Sequence, residues 1–345
     1  MKIIRILTLA FLLLNIIACD QPQAAKKTFT IEGNTQGTTY KVSYIAEKEM
    51  VNKASVDSLL VAFSNSLSTY IDSSIISLTN KTAVADSFLA IDKFFFEVFK
   101  ISEAVHNKSE KLFDPSVMPL VHFWGFGVRK NLDRDTTQLD SLRSLIGFQN
   151  FSIKNENETY WLSKKNKYAQ LDFNAVAQGY SVDVLAEFLE ANGIKNYMAE
   201  IGGEVRCKGK NARDTFWNIG IDLPVASGAE DRKLKATVSL NNQSLATSGN
   251  YRKYLDQEGQ KYGHTINPLT GYPEVNTTLS ASVITKSCGY ADAYATAFMV
   301  MGWEKAIQIA EADADIEAYF IYSDAQGKML TVSTSGLKDI LKELE

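Results

Sequence analysis

Residues 171–183 join a short predicted strand to a long amphipathic helix, and this junction constrains the fold more than any other stretch. Asp172 closes the strand, and Asn174 is a credible N-cap for the helix. Apolar residues recur every fourth position from Val176, which predicts one buried helix face, and Gly193 predicts its end. Backbone N–H groups converge at such a junction, so it is a candidate phosphate site. On its own, an ordinary capped helix is the simpler interpretation.

The first 19 residues predict an export signal rather than part of the fold. Lys2 and Arg5 form a positive start, and residues 6–17 are apolar. An apolar run of this length is too short to span a bilayer comfortably. The segment therefore indicates a secretory signal.

The end of this signal is typical of a bacterial lipoprotein, because Cys19 directly follows the small residue Ala18. We expect a lipidated Cys19 as the first mature residue; the alternative is a plain signal with an incidental cysteine. Residues 20–27 predict a short tether. The folded domain is expected over 28–345.

Length and charge limit the classes of function. The chain has 345 residues and a formal charge of −4, which suits one large domain or two intimate subdomains. No basic run is present, so we expect no nucleic-acid partner. Cys207 and Cys288 have no metal-type spacing, and the sequence leaves open whether they form a disulfide or stay as buried thiols.

The order of predicted elements favours an α+β fold. Helices are predicted over 51–67, 88–105, 175–192 and 289–312, with a short helix at the end of the chain. Strands are predicted over 28–32, 39–45, 160–162, 168–171, 197–201, 204–208, 217–222, 235–239, 279–284, 317–322 and 328–332. Hairpin-like strands between separated helices argue against a doubly wound parallel sheet. The chain contains neither a P-loop nor a dinucleotide-binding glycine motif after a strand.

A second candidate site lies on the predicted helix 289–312. Asp292 and Thr296 are four residues apart, so they share one helix face. A carboxylate and a hydroxyl are oxygen ligands of the kind that a hard cation prefers. Alternating alanines would let another backbone approach closely. The alternative is a tightly packed helix whose one buried Asp is paired to a neighbour.

Two loops complete the set of candidates. His264 lies in a loop rich in Asn-Pro and Thr-Gly turn signals, where it would serve as a general base or merely bond a turn. Asp114 is a lone acid among apolar residues of the segment 112–126. Such a segment lines a ring-binding cleft or forms a core loop, and from the residues alone the core loop is the simpler interpretation.

Five motifs in this order together resemble the ApbE family of FAD:protein FMN transferases, many of which are bacterial lipoproteins. They are FDPSVMPLV with WGF, LDFNAVAQGYSVD, EIGGEVRCKG, HTINPLTGYP and ADAYATAFMVMG. The resemblance runs from about Gly33 to Gly302, and residues 68–73 fit an early element of the family as well. Each motif is weak alone, whereas five in order over most of a chain are highly specific.

The resemblance implies a two-lobed α+β fold with an antiparallel sheet core, packed helices and FAD in a cleft between the lobes. It implies Mg²⁺-dependent transfer of FMN from FAD to a Thr (or Ser) hydroxyl of a target protein, with release of AMP.

The resemblance also assigns residues. Mg²⁺ would be held by Asp292, Thr296 and the backbone carbonyl of Ala175. His264 would contact the cofactor and activate the acceptor hydroxyl, and Asp292 would share the catalytic role. The other residues assigned to FAD are Gln36, Tyr70, Leu112, Phe113, Asp114, Asp172 and Gln178.

The chemistry of the chain agrees with this assignment. FAD carries a charged pyrophosphate, and no basic cluster lies near the motifs, so a metal must supply most of the neutralisation. A carbonyl inside a helix could not bind a metal without losing its own hydrogen bond. If Ala175 is a ligand, we therefore expect the regular helix to begin after it and Asn174 not to be a simple cap.

Two positions depart from the family pattern. Gln178 stands where the family often has Lys, and Gln36 where it often has Met. An amide bonds a nucleotide less strongly than a charged donor does, so we expect altered FAD affinity rather than lost activity.

These features predict a lipid-anchored enzyme on the periplasmic side of the inner membrane. The resemblance implies exported flavoprotein subunits of the RnfG or NqrC type as partners. Two alternatives stay open: an FAD pyrophosphatase that gives FMN and AMP, and a flavin-binding lipoprotein without chemistry.

Overall fold

A computed structural model describes residues 26–126, 135–224, 233–249, 254–257, 260–263 and 265–344. The predicted signal 1–19 and most of the predicted tether lie outside these residues. The first described strand begins at Lys27, beside the expected start of the domain. No helix in the described ranges is long and apolar enough to cross a bilayer.

An eight-stranded sheet forms the centre of the protein. Its strands in chain order are β1 (Lys27–Thr35), β2 (Thr38–Ala46), β6 (Tyr197–Ile201), β7 (Glu204–Lys208), β10 (Gln243–Gly249), β13 (Thr278–Thr285), β14 (Glu317–Ser323) and β15 (Met329–Ser333). They lie side by side in this same order, and each neighbouring pair is antiparallel. The α+β prediction is thus confirmed.

Smaller sheets flank the central one. One consists of β8 (Trp217–Asp222), β9 (Leu234–Leu240) and β16 (Leu341–Glu343), with β9 in the middle. Another consists of β3 (Phe88–Ile91), β4 (Phe151–Glu156) and β5 (Thr159–Lys164), with β5 in the middle. A hairpin joins β11 (Tyr254–Gln257) to β12 (Gln260–Gly263).

The helices are α1 (Lys53–Leu67), α2 (Ile75–Lys81), α3 (Lys93–Lys108), α4 (Met118–Trp124), α5 (Leu139–Arg143), α6 (Ala177–Ala191), α7 (Cys288–Met301) and α8 (Trp303–Ala312). The predicted helix 289–312 is two helices, because Gly302 has φ +84° and ends the first. The prediction of helix from residue 88 is wrong for its first four residues, which form β3. Asp92 then caps α3 by accepting the N–H of Phe95.

Two further predictions need correction. Residues 168–171 form no strand, because the Asn80 side chain takes both backbone groups of Leu171: Oδ1 accepts its N–H and Nδ2 donates to its carbonyl, each at 2.8 Å. The predicted C-terminal helix is a single 3-10 turn, Ser335–Leu337, followed by the strand β16.

The two faces of the large sheet are covered differently. Helices α1 and α6 pack over β1, β2 and β6 through a cluster of buried residues that includes Tyr40, Val56, Leu185 and Tyr197. The sheet of β8, β9 and β16 contributes Trp217 and Val238 to a separate cluster with β7, β10, β13 and β14. Helix α7 lies against α6, β10 and β13. The two helices with the most chemistry-bearing residues are therefore neighbours.

Candidate functional site

A cavity of about 610 Å³ lies where the turn after β1, helix α1 and the start of α6 meet. Its lining includes Gln36, Phe63, Leu67, Tyr70, Ala177 and Gln178. Three of the residues assigned to FAD, which are distant in sequence, thus share one cavity: Gln36, Tyr70 and Gln178. The Tyr70 side chain is 70% exposed, so its ring is free to stack on a planar ligand.

Gln178 is fixed at the edge of this cavity by the end of strand β6. Its Nε2 donates to the Ile201 carbonyl across 3.0 Å. The next residue, Gly202, has φ +63°, and a Cβ there would lie 1.7 Å from the same Nε2. Only glycine therefore leaves room for the amide in this position.

The junction 171–177 is an irregular turn, as the metal assignment requires. Asn174 is not the N-cap of α6: its own N–H donates to Asp172 Oδ1 at 2.8 Å, and the helix begins at Ala177. Ala175 therefore lies outside the regular helix. In a continuous helix the Gly179 N–H would bond the Ala175 carbonyl, but here it donates to Asp292 Oδ2 at 2.9 Å.

Asp292 is buried on α7, directly across from the start of α6. The described residues give this carboxylate one hydrogen bond, from Gly179 to Oδ2, which leaves Oδ1 for a ligand. Burial raises the pKa of Asp292 to about 7, although the bond from Gly179 opposes the shift. Such a group favours a nearby positive charge.

Thr296 lies one turn further along α7. Its Oγ1 is 3.1 Å from Ser248 Oγ at the end of β10, so the hydroxyl is already oriented by a second hydroxyl. Ser248 is not among the predicted site residues, although its position beside Gly249 at a strand end was an available signal. The alanines between these residues, Ala293 and Ala295, are fully buried, as their close-approach role predicts.

The donor set fits a hard divalent cation. A carbonyl of Ala175, a carboxylate of Asp292 and a hydroxyl of Thr296 are all oxygen ligands, which Mg²⁺ prefers. Within the described ranges, no three His, Cys, Asp or Glu side chains group closely enough to hold a metal by themselves. A cation here would therefore need further oxygen ligands from water or from a bound phosphate.

Asp172 is half-buried at the start of the junction. Its backbone N–H donates to the Pro115 carbonyl at 2.7 Å, which joins the segment of Asp114 to the junction. Burial raises the pKa of the Asp172 carboxyl, against the bonds from Asn174. The acid is thus held near the predicted FAD site without lining the cavity described above.

The segment 112–114 lies mainly in the core. Phe113 is 2% exposed, and Asp114 caps the 3-10 turn Pro115–Val117, its Oδ1 accepting the Ser116 N–H at 2.8 Å. Burial raises the pKa of Asp114, and its Oδ2 lies 3.5 Å from His106 Nδ1. Leu112 is half-buried beside them. The structure does not bring this segment into the cavity, and its contact with FAD stays a prediction.

His264 lies outside the described residues, but the loop that follows it is well defined. Asn267 organises this loop: its N–H donates to the Tyr272 carbonyl, and its Oδ1 accepts the N–H of Leu269 at 2.9 Å. Trp124 Nε1 donates to the Gly271 carbonyl at 2.7 Å and so fastens the loop to α4.

His106 and the two cysteines are structural. His106 is buried, with its Nδ1 2.8 Å from the Phe113 carbonyl. Cys207 and Cys288 are buried free thiols, so the open question of a disulfide is resolved in favour of thiols. A smaller cavity of about 450 Å³, lined by residues such as Lys81, His122 and Tyr168, contains none of the predicted site residues.

These features define a class: an α+β protein with a candidate cation site beside a cavity that has an aromatic wall. A sequence profile described as the ApbE family matches residues 36–320. The chain belongs to the ApbE family.

Named relatives cover nearly the whole chain. An FAD:protein FMN transferase of Haemophilus influenzae is 31% identical over 339 residues, 96% of each chain. One of Vibrio cholerae is 34% identical over 314 residues, 89% of this chain and 90% of the relative.

Solved structures agree with these matches. The flavin transferase ApbE from Vibrio cholerae superposes with a TM-score of 0.79 at 32% identity, covering 92% of this chain and all of that one. The apo form of the Pseudomonas stutzeri flavinyl transferase ApbE gives 0.80 at 31% identity, with 91% and 97% covered.

Proposed function

We propose that this protein transfers FMN from FAD to a Thr (or Ser) hydroxyl of a target protein and releases AMP. The observation that carries the proposal is that the buried carboxylate of Asp292 accepts the Gly179 N–H, which in a continuous helix would bond the Ala175 carbonyl. A protein that only stores a flavin has no need of a cation site. The names of the relatives support the same reaction.

The cavity would take the FAD molecule. Tyr70 and Phe63 offer aromatic surface, and Gln36 and Gln178 offer amides for hydrogen bonds to the nucleotide. Asp172 and the segment Leu112, Phe113 and Asp114 would complete the contacts from the neighbouring loop. Because Gln178 is uncharged, neutralisation of the pyrophosphate falls to a cation.

Ala175, Asp292 and Thr296 would hold Mg²⁺. The ion supplies charge neutralisation and polarisation at the pyrophosphate when it is bound. Two hydrogen bonds orient the ligand groups before FAD binds: Gly179 orients Asp292, and Ser248 orients the Thr296 hydroxyl. This preorganisation lowers the cost of binding a charged ligand.

In the chemical step, the acceptor hydroxyl oxygen forms a bond to the phosphorus that carries the riboflavin portion. The bond between that phosphorus and the bridging pyrophosphate oxygen breaks, and AMP leaves with the oxygen. His264 would accept the proton of the hydroxyl as a general base. With water as the acceptor the same step would be hydrolysis of FAD to FMN and AMP.

The cellular setting follows from the N-terminal sequence and the family. Cys19 would carry the lipid and anchor the enzyme on the periplasmic side of the inner membrane, with residues 20–27 as tether. Exported flavoprotein subunits of the RnfG or NqrC type would be the acceptors.

One experiment tests the reaction. The chain without residues 1–19 is incubated with FAD, Mg²⁺ and a candidate acceptor, and flavin fluorescence is sought on the acceptor after denaturing electrophoresis. We expect labelling that requires Mg²⁺ and is lost in Asp292→Asn but kept in Asp214→Asn, an exposed aspartate whose ion-pair partner is Lys210. Free FMN without labelled acceptor would favour the hydrolase, and FAD binding without turnover would favour the flavin-binding protein.

A further inference from the structure

Asp183, which has no part in the proposed chemistry, holds the start of helix α7 from the side. It lies on α6 and is 2% exposed. Its Oδ1 accepts the Cys288 N–H at 2.9 Å, and its Oδ2 accepts the Gly289 N–H at 2.9 Å. Its Oδ2 also accepts the Ser287 hydroxyl at 2.6 Å.

This arrangement replaces the usual cap of the helix. Ser287 is the N-cap residue of α7, but its side chain makes no capping bond within the helix. The first N–H groups of any helix lack partners inside it and carry a partial positive charge. A carboxylate from another helix therefore accepts hydrogen bonds from these N–H groups and balances their partial positive charge at the start of α7.

The two helices exchange such bonds in both directions. Asp183 on α6 accepts hydrogen bonds from backbone N–H groups in the first turn of α7. Asp292 on α7 accepts a hydrogen bond from the Gly179 N–H in the first turn of α6. Gly179 and Asp183 are one turn apart on α6, as Cys288 and Asp292 are on α7, so the four groups form one compact crossing.

Close packing leaves this crossing little freedom. A Cβ at Gly179 would lie 2.4 Å from the Cys288 carbonyl oxygen, and a Cβ at Gly289 would lie 3.1 Å from Tyr180 Cβ. The position of α7 along α6 is therefore set by hydrogen bonds at both ends of the contact. A shift of α7 would carry Asp292 and Thr296 away from Ala175.

Arg206 balances the charge of the buried acid. Its Nη1 lies 2.7 Å from Asp183 Oδ1, and its side chain is 19% exposed on strand β7. The pair also connects the helix crossing to the central sheet. Asp183 thus has a charged partner from the sheet and two backbone donors from α7.

We propose that Asp183 is the positioning residue of the cation site: it fixes Asp292 against Ala175 and thereby sets the affinity for a divalent cation. Asp183 itself touches neither the cation nor FAD. The inference rests on the metal site of the proposed function. Its consequence is that a residue that is not itself a ligand tunes metal binding.

The test measures binding of Mn²⁺, as a probe for Mg²⁺, to the chain without residues 1–19 by calorimetry. In Asp183→Asn an amide NH₂ replaces one oxygen and faces the N–H groups of α7, so we expect at least about tenfold weaker Mn²⁺ binding. FAD binding in the presence of a chelator should change less than about twofold, because Asp183 does not line the cavity.

Two controls separate positioning from general stability. Val238→Ala removes a buried methyl pair from the other core cluster, so it should lower the melting temperature and leave Mn²⁺ affinity unchanged. Ser287→Ala removes one donor to Asp183 and should weaken Mn²⁺ about threefold even if Asp183→Asn fails to fold.

The outcomes distinguish the two proposals. If Asp292→Asn weakens Mn²⁺ binding but Asp183→Asn and Ser287→Ala do not, the positioning role is wrong and the metal site stands. If Asp292→Asn itself binds Mn²⁺ like the wild type, the metal site of the proposed function is wrong and this inference falls with it.

Discussion

The backbone N–H of Gly179 donates to Oδ2 of Asp292 across 2.9 Å, from the first turn of α6 to the second turn of a neighbouring helix. This one bond has two effects. It orients a buried carboxylate, and it leaves the Ala175 carbonyl without its usual helical donor. Three oxygen groups, two from α7 and one from the junction before α6, are thereby prepared for a cation.

A side chain at Gly179 should disrupt this arrangement. In Gly179→Ala the new Cβ would lie 2.6 Å from Asp292 Cβ, so α7 must move. We expect a loss of about 1–3 kcal/mol in the free energy of unfolding, as is usual for overpacking, and a large loss of Mg²⁺-dependent turnover. Denaturant unfolding and labelling assays measure the two effects. Glu187→Ala, on the exposed side of α6, should change neither; wild-type turnover in Gly179→Ala would contradict the crossing.

The aromatic wall of the cavity should contribute to FAD affinity. Tyr70→Ala removes a ring that is 70% exposed in the cavity, and stacking on a base or ring system is worth about 1–3 kcal/mol. We expect FAD to bind about tenfold more weakly, with Tyr70→Phe close to wild type. Flavin fluorescence titration gives the affinities. Tyr168→Ala, a similarly exposed tyrosine on the smaller cavity, is the control, and equal losses in both variants would exclude a specific role for Tyr70.

Restoring a charge at residue 178 should strengthen nucleotide binding. Gln178 now holds a neutral hydrogen bond to Ile201 at the edge of the cavity. Gln178→Lys would place an ammonium there, and a charge-assisted bond is about twice as strong as a neutral one. We expect tighter FAD binding with a steeper dependence on salt, measured by titration at two ionic strengths. Gln178→Met keeps the length of the side chain without its polarity and should bind FAD more weakly. If Gln178→Met gained as much FAD affinity as Gln178→Lys, the effect would not be electrostatic.

Cation binding should depend on pH through Asp292, whose pKa burial raises to about 7. Mg²⁺ needs the ionised carboxylate, so its apparent affinity should fall about tenfold per pH unit below pH 7 and level off above it. Without metal the sign reverses: the folded state holds this proton more tightly than the unfolded chain, so the contribution of Asp292 to stability decreases as pH rises from about 4 to 7. Calorimetry and melting curves test both trends. Asp292→Asn should flatten them, and an Mg²⁺ affinity independent of pH in the wild type would contradict the assignment.

The two cysteines should be inert in the folded protein. Burial raises the pKa of both the Cys207 and Cys288 thiols, and the thiolate is the reactive form. In the chain without residues 1–19 we expect no reaction with a thiol reagent at neutral or mildly alkaline pH, and two reactive thiols after denaturation. A single labelled thiol in the native state, or none after denaturation without reductant, would contradict two buried free thiols.

Much of the fold could be predicted because its signals are local. Strand alternation in β1, β2, β14 and β15 and the four-residue spacing in α6 depend on neighbours in sequence. The predictions of secondary structure were wrong where a side chain from a distant part of the sequence bonds the backbone groups that a strand would use. Leu171 belongs to no strand because Asn80, 91 residues away in sequence, bonds both of its backbone groups.

In the candidate site, too, the local features could be predicted and the contacts between distant elements could not. Helical spacing was enough to pair Asp292 with Thr296, and the expectation that α6 begins after Ala175 is met by the structure. The roles of Asp183 and Ser248 depend on contacts between elements that only the folded chain brings together. The helical position of Asp183, one turn after Gly179, was visible in the sequence, but its partners on α7 were not.

The exchanged bonds between α6 and α7 have a consequence for how the protein folds. Neither helix has a complete cap until the other has docked, because each receives its capping carboxylate from the other's side chains. Isolated helices of this length are marginal in water. We therefore expect the two helices to form together, in one cooperative step, so that a partly folded chain would lack the cation site entirely rather than hold a loose version of it.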